Sequence, residues 1–254
     1  MARILRILSI DGGGIRGLIP AMLLAEIERR SNRKIADLFH LIAGTSTGGM
    51  MALGLARPRA DGQPMPAAEI MGVFRDQGPG VFSRTVWKGV SSLGGIADEK
   101  YDSDALERYL MNGLGQTRLS EAVVDVMTTA YDLRHREPYF FKSWKAQGLQ
   151  LEPGDSAARH DFLMRDAARA TTAAPTYFEP AAVRNAVAEE FLFVDGGVYA
   201  NNPAMCAYVS ARKLFPKADR IVLVSLSTDC RIPGSLMIRP AVGGWRPGRG
   251  RSSI

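Results

Sequence analysis

Cysteine and histidine are both scarce in this chain of 254 residues, with two of the former and three of the latter. Two cysteines, Cys206 and Cys230, are too few for a disulfide framework and lack metal-ligand spacing, so they read as free thiols in a reducing compartment. A cleavable leader is also missing from the expectation. The segment Met1–Leu8 leads straight to Asp11, with no long apolar core and no small-residue cleavage site. The longest stretch without formal charge, Leu38 to Ala56, carries four glycines and Thr45-Ser46-Thr47 at its centre. A lipid-facing helix would bury those groups unsatisfied, so the stretch reads as strand, turn and helix. The expectation is a soluble, cytoplasmic protein that touches membranes only peripherally. Acidic residues are absent beyond Asp229, where Arg231, Arg239, Arg246, Arg249 and Arg251 account for almost all of the net charge of +6. The body is therefore close to neutral, and no specific nucleic-acid partner is expected despite the basic total.

What is present is globular: 46% hydrophobic residues, 23% charged and 26 glycines. The length suits one α/β domain, which buries roughly 70–75% of its unfolded surface and needs no covalent staple. Ile4–Ile10 is a nearly continuous apolar run, as in a strand covered on both faces. A glycine turn follows, then a helix from about Leu18 with Pro20 in its first turn. Ile19, Leu23 and Ile27, joined by Leu18 and Met22, predict the face turned to the sheet. The plan repeats with a strand at Leu38–Ala43 and a helix at Gly48–Ala56. Residues 57–104 are dense in proline, glycine and serine and read as an insertion or lid, with Phe74, Phe82, Trp87 and Tyr101 scattered through it. A helix at Asp104–Met111, strands at Ala122–Asp132 and Pro138–Lys142, and a helix at Phe162–Ala170 come next. A strand at Phe191–Val194, a helix opened by Asn202-Pro203 and a strand at Arg220–Leu226 complete a domain spanning 1–229. Residues 230–254 form a basic, Gly/Pro-rich tail. Alternation of strands and helices predicts a mostly parallel sheet with helices on both faces.

Three short motifs carry chemistry. Gly12-Gly13-Gly14-Ile15-Arg16-Gly17 fits G-x-G-x-x-G between a strand and a helix, where backbone amides and the helix dipole face an anion. Taken by itself the loop serves a nucleotide phosphate, an oxyanion or a plain turn. Asp37 lies at the distance of a ribose-binding acid but precedes its strand instead of ending one. Gly44-Thr45-Ser46-Thr47-Gly48 matches G-x-S-x-G at a strand-to-helix junction, the setting of a nucleophilic serine on a strained turn. The familiar triad would place a histidine last, yet His40, His135 and His160 all precede Asp195 and none sits in a glycine-rich loop. Asp195-Gly196-Gly197 closes a strand at the expected carboxyl edge of the parallel sheet, where ligands bind, and Asp195 is the better base.

Together, in this order, Asp11–Gly17, Gly44–Gly49 and Asp195–Gly197 resemble the patatin-like phospholipase family. So does Arg169-Ala170-Thr171-Thr172-Ala173-Ala174-Pro175-Thr176-Tyr177-Phe178. The resemblance spans about Ile4 to Leu226. It implies a three-layer α/β/α fold and a Ser–Asp dyad that hydrolyses acyl esters of phospholipids or related lipids, with no cofactor and no calcium in the catalytic step. Carried onto this chain, Ser46 is the nucleophile and Asp195 the general base. Gly12, Gly13 and Gly14 form the oxyanion hole, and Gly17, Gly44, Gly48, Gly196 and Gly197 shape the loops. Arg16 either orients its loop or meets a lipid phosphate. Two departures are visible: His40 stands where the family has an aspartate, and Ser227-Thr228-Asp229 replaces a Gly-Thr-Gly turn. Transfer of the acyl group to an acceptor alcohol, and a non-catalytic nucleotide-binding module, are the competing readings.

Overall fold

The computed structural model describes residues 3–82 and 103–228. In chain order the strands are β1 (Ile4–Ile10), β2 (Leu41–Thr45), β3 (Asp125–Asp132), β4 (Glu137–Lys142), β5 (Ala181–Arg184), β6 (Glu190–Asp195) and β7 (Arg220–Leu226). The longer helices are α1 (Leu18–Ser31), α3 (Thr47–Ala56), α4 (Ala67–Phe82), α5 (Ser103–Leu114), α8 (Met164–Thr171) and α10 (Ala204–Leu214). Between them lie single turns at α2 (Ile35–Leu38), α6 (Ser143–Ala146), α7 (Ala157–His160) and α9 (Gly197–Ala200).

The architecture is three-layered α/β/α around a mostly parallel central sheet. β7, β1, β2 and β3 run parallel, while β4 and β6 pair antiparallel with β3 and β5 pairs antiparallel with β6. The two-residue period of β1 sorts its side chains between the layers. Leu8 and Ile10 join the larger core with α1, α3, α4, α5 and α8, whereas Leu5 and Ile7 join Leu41, Ala43, Met127 and the inner face of α10. Every residue of α3 is buried, which explains why that helix is apolar all round.

Four features differ from what the sequence suggested: three expectations are corrected and one strand was not anticipated. The second strand begins at Leu41, because Ile35–Leu38 closes a helical turn first, and His40 precedes the strand instead of lying inside it. The strand ending at Asp195 is antiparallel to its neighbour. The short strand β5 fell in a stretch with no strong apolar pattern. The fourth concerns α1, whose apolar residues run around most of its circumference. Pro20, Ala21 and Leu24 turn inward, and the helix packs along α4. Met22 and Leu23, expected against the sheet, stand 55% and 48% exposed.

Within the expected insertion, Phe74 is a core residue of α4. Trp87, Tyr101, Cys230 and the basic tail lie outside the described residues, and Cys206 on α10 is a free thiol. No described helix is long and apolar enough to cross a membrane.

One consequence of the register places the site. β4 occupies one edge of β3, with Phe140 opposite Thr129 and Tyr139 opposite Ala130. On the other edge Thr45, the last residue of β2, sits opposite Thr129, and Asp195, the last of β6, sits opposite Ala130. A strand has only two edges, so β2 and β6 share one and meet there end to end. Ser46, which follows β2, and Asp195 are 149 apart in sequence and are thereby brought together where the two strands stop.

Candidate active site

The chain turns out of β2 into α3 through a single residue, Ser46, at φ 55° and ψ −126°. A non-glycine side chain in this region stores on the order of 1–3 kcal/mol of strain, which the surroundings must hold. They do so from three sides. The Ser46 amide donates to Thr171 Oγ1 at 2.9 Å, its carbonyl accepts from the Met50 amide at 3.0 Å, and Thr45 Oγ1 donates to Ala200 O at 2.7 Å. Gly44 and Gly48 are required by contact. A Cβ on Gly44 would lie 2.1 Å from the Gly48 carbonyl oxygen, and one on Gly48 would lie 2.2 Å from that of Ile10.

Ser46 Oγ donates to Asp195 Oδ2 at 2.6 Å. The other carboxylate oxygen, Oδ1, accepts from the Gly197 amide at 2.7 Å, and the Asp195 amide donates to Ala173 O at 2.9 Å. Gly196 lies so close to β3 that a Cβ would meet Thr129 Oγ1 at 2.1 Å, which locks the carboxylate's strand end against the sheet. Asp195 is only 5% exposed. Burial pushes its carboxyl up to about 6, against the opposing pull of the bonds from Ser46 and Gly197. A carboxylate so desolvated and so near a hydroxyl is a competent proton acceptor close to neutral pH.

None of the three histidines contacts Ser46. His40 accepts the Arg6 amide on Nδ1 at 3.0 Å, at the far end of β2, and burial together with the Arg6 charge lowers its affinity for a proton. His135 pairs with Asp132 and His160 with Asp155, both away from the Ser46 turn.

The triple glycine abuts the serine: a Cβ on Gly12 would lie 3.1 Å from Ser46 Cβ. Its amides are not equivalent, however. The Gly12 amide donates to Asn201 O at 3.1 Å, so serving as an oxyanion donor would require it to give up that bond. The Gly13 amide rests on Thr47 Oγ1 at 3.2 Å, and the Gly14 amide, at φ +58°, has no partner among the described residues. The Gly12 carbonyl is gripped by Thr228 Oγ1 at 2.7 Å and Asn201 Nδ2 at 3.3 Å. Gly17 lets the next turn pack on the Phe74 ring. This tethering also weakens the nucleotide reading. The loop is tied into the serine site, and Asp37 sits in α2, before β2 and so at the other edge of the sheet.

A cavity of about 360 Å³ opens beside Ser46, lined by Gly13, Gly14, Ile15, Arg16, Thr172, Ala174, Tyr177 and Phe178. Arg16 is exposed at its rim and makes no ion pair among the described residues, so the loop-locking role lacks support. The wall formed by residues 172–178 is braced from below by Arg169. This buried side chain donates through Nη2 to Glu179 O at 3.2 Å and lies 5.8 Å from the Phe178 ring centroid. Thr47, Thr171, Asn201 and Thr228 are the site residues that sequence reasoning did not single out. Threonine and asparagine are common everywhere: Thr47, Thr171 and Thr228 lie within the motif stretches without a role of their own, and Asn201 carried no signal.

A family model described as patatin-like phospholipase matches residues 8–208. Patatin-like protein 2 of Arabidopsis thaliana is 38% identical over 218 residues, covering 79% of this chain and 51% of its own length. Patatin-like protein 2 of Oryza sativa subsp. indica is 34% identical over 232 residues, 86% of this chain and 55% of its own. Patatin-17 of Solanum cardiophyllum is 33% identical over 231 residues, 85% and 55% respectively. The chain thus spans about half the length of the curated relatives it matches.

Proposed function

The chain belongs to the patatin-like phospholipase family, and from that premise we propose that it is a phospholipase A-type lipid acyl hydrolase working through Ser46 and Asp195. The reading rests on one observation, the 2.6 Å hydrogen bond from Ser46 Oγ to a buried carboxylate oxygen of Asp195. Asp195 takes the hydroxyl proton as Oγ attacks the ester carbonyl of a fatty acyl chain, and a tetrahedral intermediate forms. The Gly14 amide, together with that of Gly13 once it leaves Thr47, receives the negative charge on the former carbonyl oxygen. Each such donor is worth roughly 3–4 kcal/mol in acyl transfer. Collapse expels the lysolipid alkoxide, which takes the proton back from Asp195, and leaves an acyl-Ser46 ester. Water, deprotonated by the same carboxylate, then attacks the acyl carbon; the Ser46–acyl bond breaks, Ser46 Oγ takes the proton back from Asp195, and the fatty acid is released. The Gly197 amide on Oδ1 keeps Oδ2 aimed at the reacting oxygen throughout. Ile15, Ala174, Tyr177 and Phe178 supply an apolar wall for the acyl chain, and Arg16 at the rim suits the phosphate of the headgroup.

The test compares fatty-acid release from mixed phospholipid vesicles by wild type, Ser46→Ala and Asp195→Asn, with fluorophosphonate labelling alongside. Wild type should release acid and be labelled, and Ser46→Ala should do neither. Full activity in both variants would overturn the assignment.

A further inference from the structure

The outward face of α1 poses a problem that the fold does not solve. At 100° per residue Ile19, Met22 and Leu23 share one side of the helix, and Ile15 in the preceding turn extends the row. Three of them are large apolar residues in solvent, Ile15 at 40% exposed beside the values already given for Met22 and Leu23, while Ile19 is half-buried. Between this row and α4 runs an open groove of about 790 Å³, lined by Ile19, Met22, Leu23, Ala25, Ala68 and Met71, with Glu26 and Arg29 at one end. The second half of the same face is different in kind. There Glu26, Arg29 and Arg30 form a surface ion-pair cluster. From Ile15 to Lys34 the chain carries five basic and two acidic side chains.

We propose that this face, with the α1–α4 groove, is the surface by which the protein docks on an anionic lipid bilayer. Three observations choose a bilayer over other occupants. The apolar row is continuous with the cavity beside Ser46, since Ile15 belongs to both and Arg16 stands between them at the rim. Seven residues separate Arg16 from Leu23, about 10 Å of helix, so a membrane meeting Met22 and Leu23 lies against the mouth a lipid must enter. The polarity also falls in the right order: apolar side chains cluster near the mouth and arginines gather where the helix would rise to headgroup phosphates. The inference rests on the lipid-hydrolase reading for its purpose, but not for its measurement.

The experiment is co-sedimentation of the full chain with vesicles of phosphatidylcholine and phosphatidylglycerol (7:3) and with phosphatidylcholine alone. Wild type, Ser46→Ala and the double variant Met22→Glu/Leu23→Glu are compared. A dispersed short-chain nitrophenyl ester reports the dyad without a surface. Wild type and Ser46→Ala should bind the anionic vesicles equally and at least several-fold better than the neutral ones. The double variant should bind about ten-fold more weakly, hydrolyse vesicle lipid correspondingly slowly, and keep its melting temperature and its rate on the dispersed ester. Unchanged vesicle binding by the double variant would overturn the proposal. So would a wild-type dimer that the double variant converts to monomer, since the face would then be a contact between copies. Absence of ester hydrolysis in wild type, with vesicle binding intact, would instead sink the hydrolase reading and leave the docking surface standing.

Discussion

The two halves of the proposed dyad are held by unlike means. The conformation of Ser46 is set by its immediate neighbours in sequence, two glycines and a helix that starts at the next residue, and is then braced by Thr171, whose hydroxyl takes its amide. Asp195 is fixed by partners from distant parts of the chain. Ala130 on β3 sets its level in the sheet, Ala173 takes its amide, and Thr129 packs on the glycine that follows. The proposed nucleophile is a local structure that the fold braces, and the proposed base is a product of the fold. Disturbance should therefore have different consequences at the two ends of a single 2.6 Å bond.

The largest effect belongs to the nucleophile itself. Ser46→Ala should lower acyl release by about 10³-fold or more, while circular dichroism and melting temperature stay close to wild type, since the turn retains its backbone contacts. Next is the turn. Gly48→Ala drives a methyl group into the Ile10 carbonyl, backbone against backbone. It should cost about 3 kcal/mol or more, seen as poor yield or a melting temperature lowered by several degrees. If Gly48→Ala folds normally, the distinction between a locally built serine and a topologically delivered aspartate fails.

Asp195→Asn sharpens the comparison by separating activity from stability. Activity should fall by about 10²–10⁴-fold, within the range of general-base loss. Stability should move the other way, with a definite pH dependence. In the unfolded chain this carboxyl titrates near its ordinary value, whereas in the fold burial pushes it up to about 6. Below pH 4 it is protonated in both states and costs nothing. As pH rises through 6 the fold must bury a charge, and stability worth about 3 kcal/mol is lost. The asparagine variant should thus match wild type at pH 4 in urea titrations and exceed it at pH 7.5. The same proton sets the rate: activity on a dispersed ester should climb through an apparent midpoint near pH 6. The smallest effect is at Thr171. Thr171→Val removes the acceptor of the Ser46 amide and should cost about 1–3 kcal/mol and lower kcat about ten-fold with KM little changed.

Much of this was legible before any coordinates. The G-x-S-x-G turn, the strand before it and the buried helix after it are coded within one short run, Leu41 to Ala56, where glycine spacing and apolar runs speak directly. The α1 helix shows the opposite case. Its boundaries follow from local pattern, but apolar residues on two sides left its inward face undecided. Packing against the rest of the fold buried the side carrying Pro20, Ala21 and Leu24.

Sequence by itself determined the α/β class, the serine on its strained turn and the candidate status of Asp195, because each depends on residue type over a short span. Only the tertiary structure decided that β6 meets β2 head-on along one edge of β3, and that Gly12 spends its amide on Asn201 while Gly14 keeps its own. It alone turned the apolar row of α1 outward. Those outcomes depend on hydrogen-bond register and on competition for packing between segments far apart in the chain, and a linear pattern carries neither.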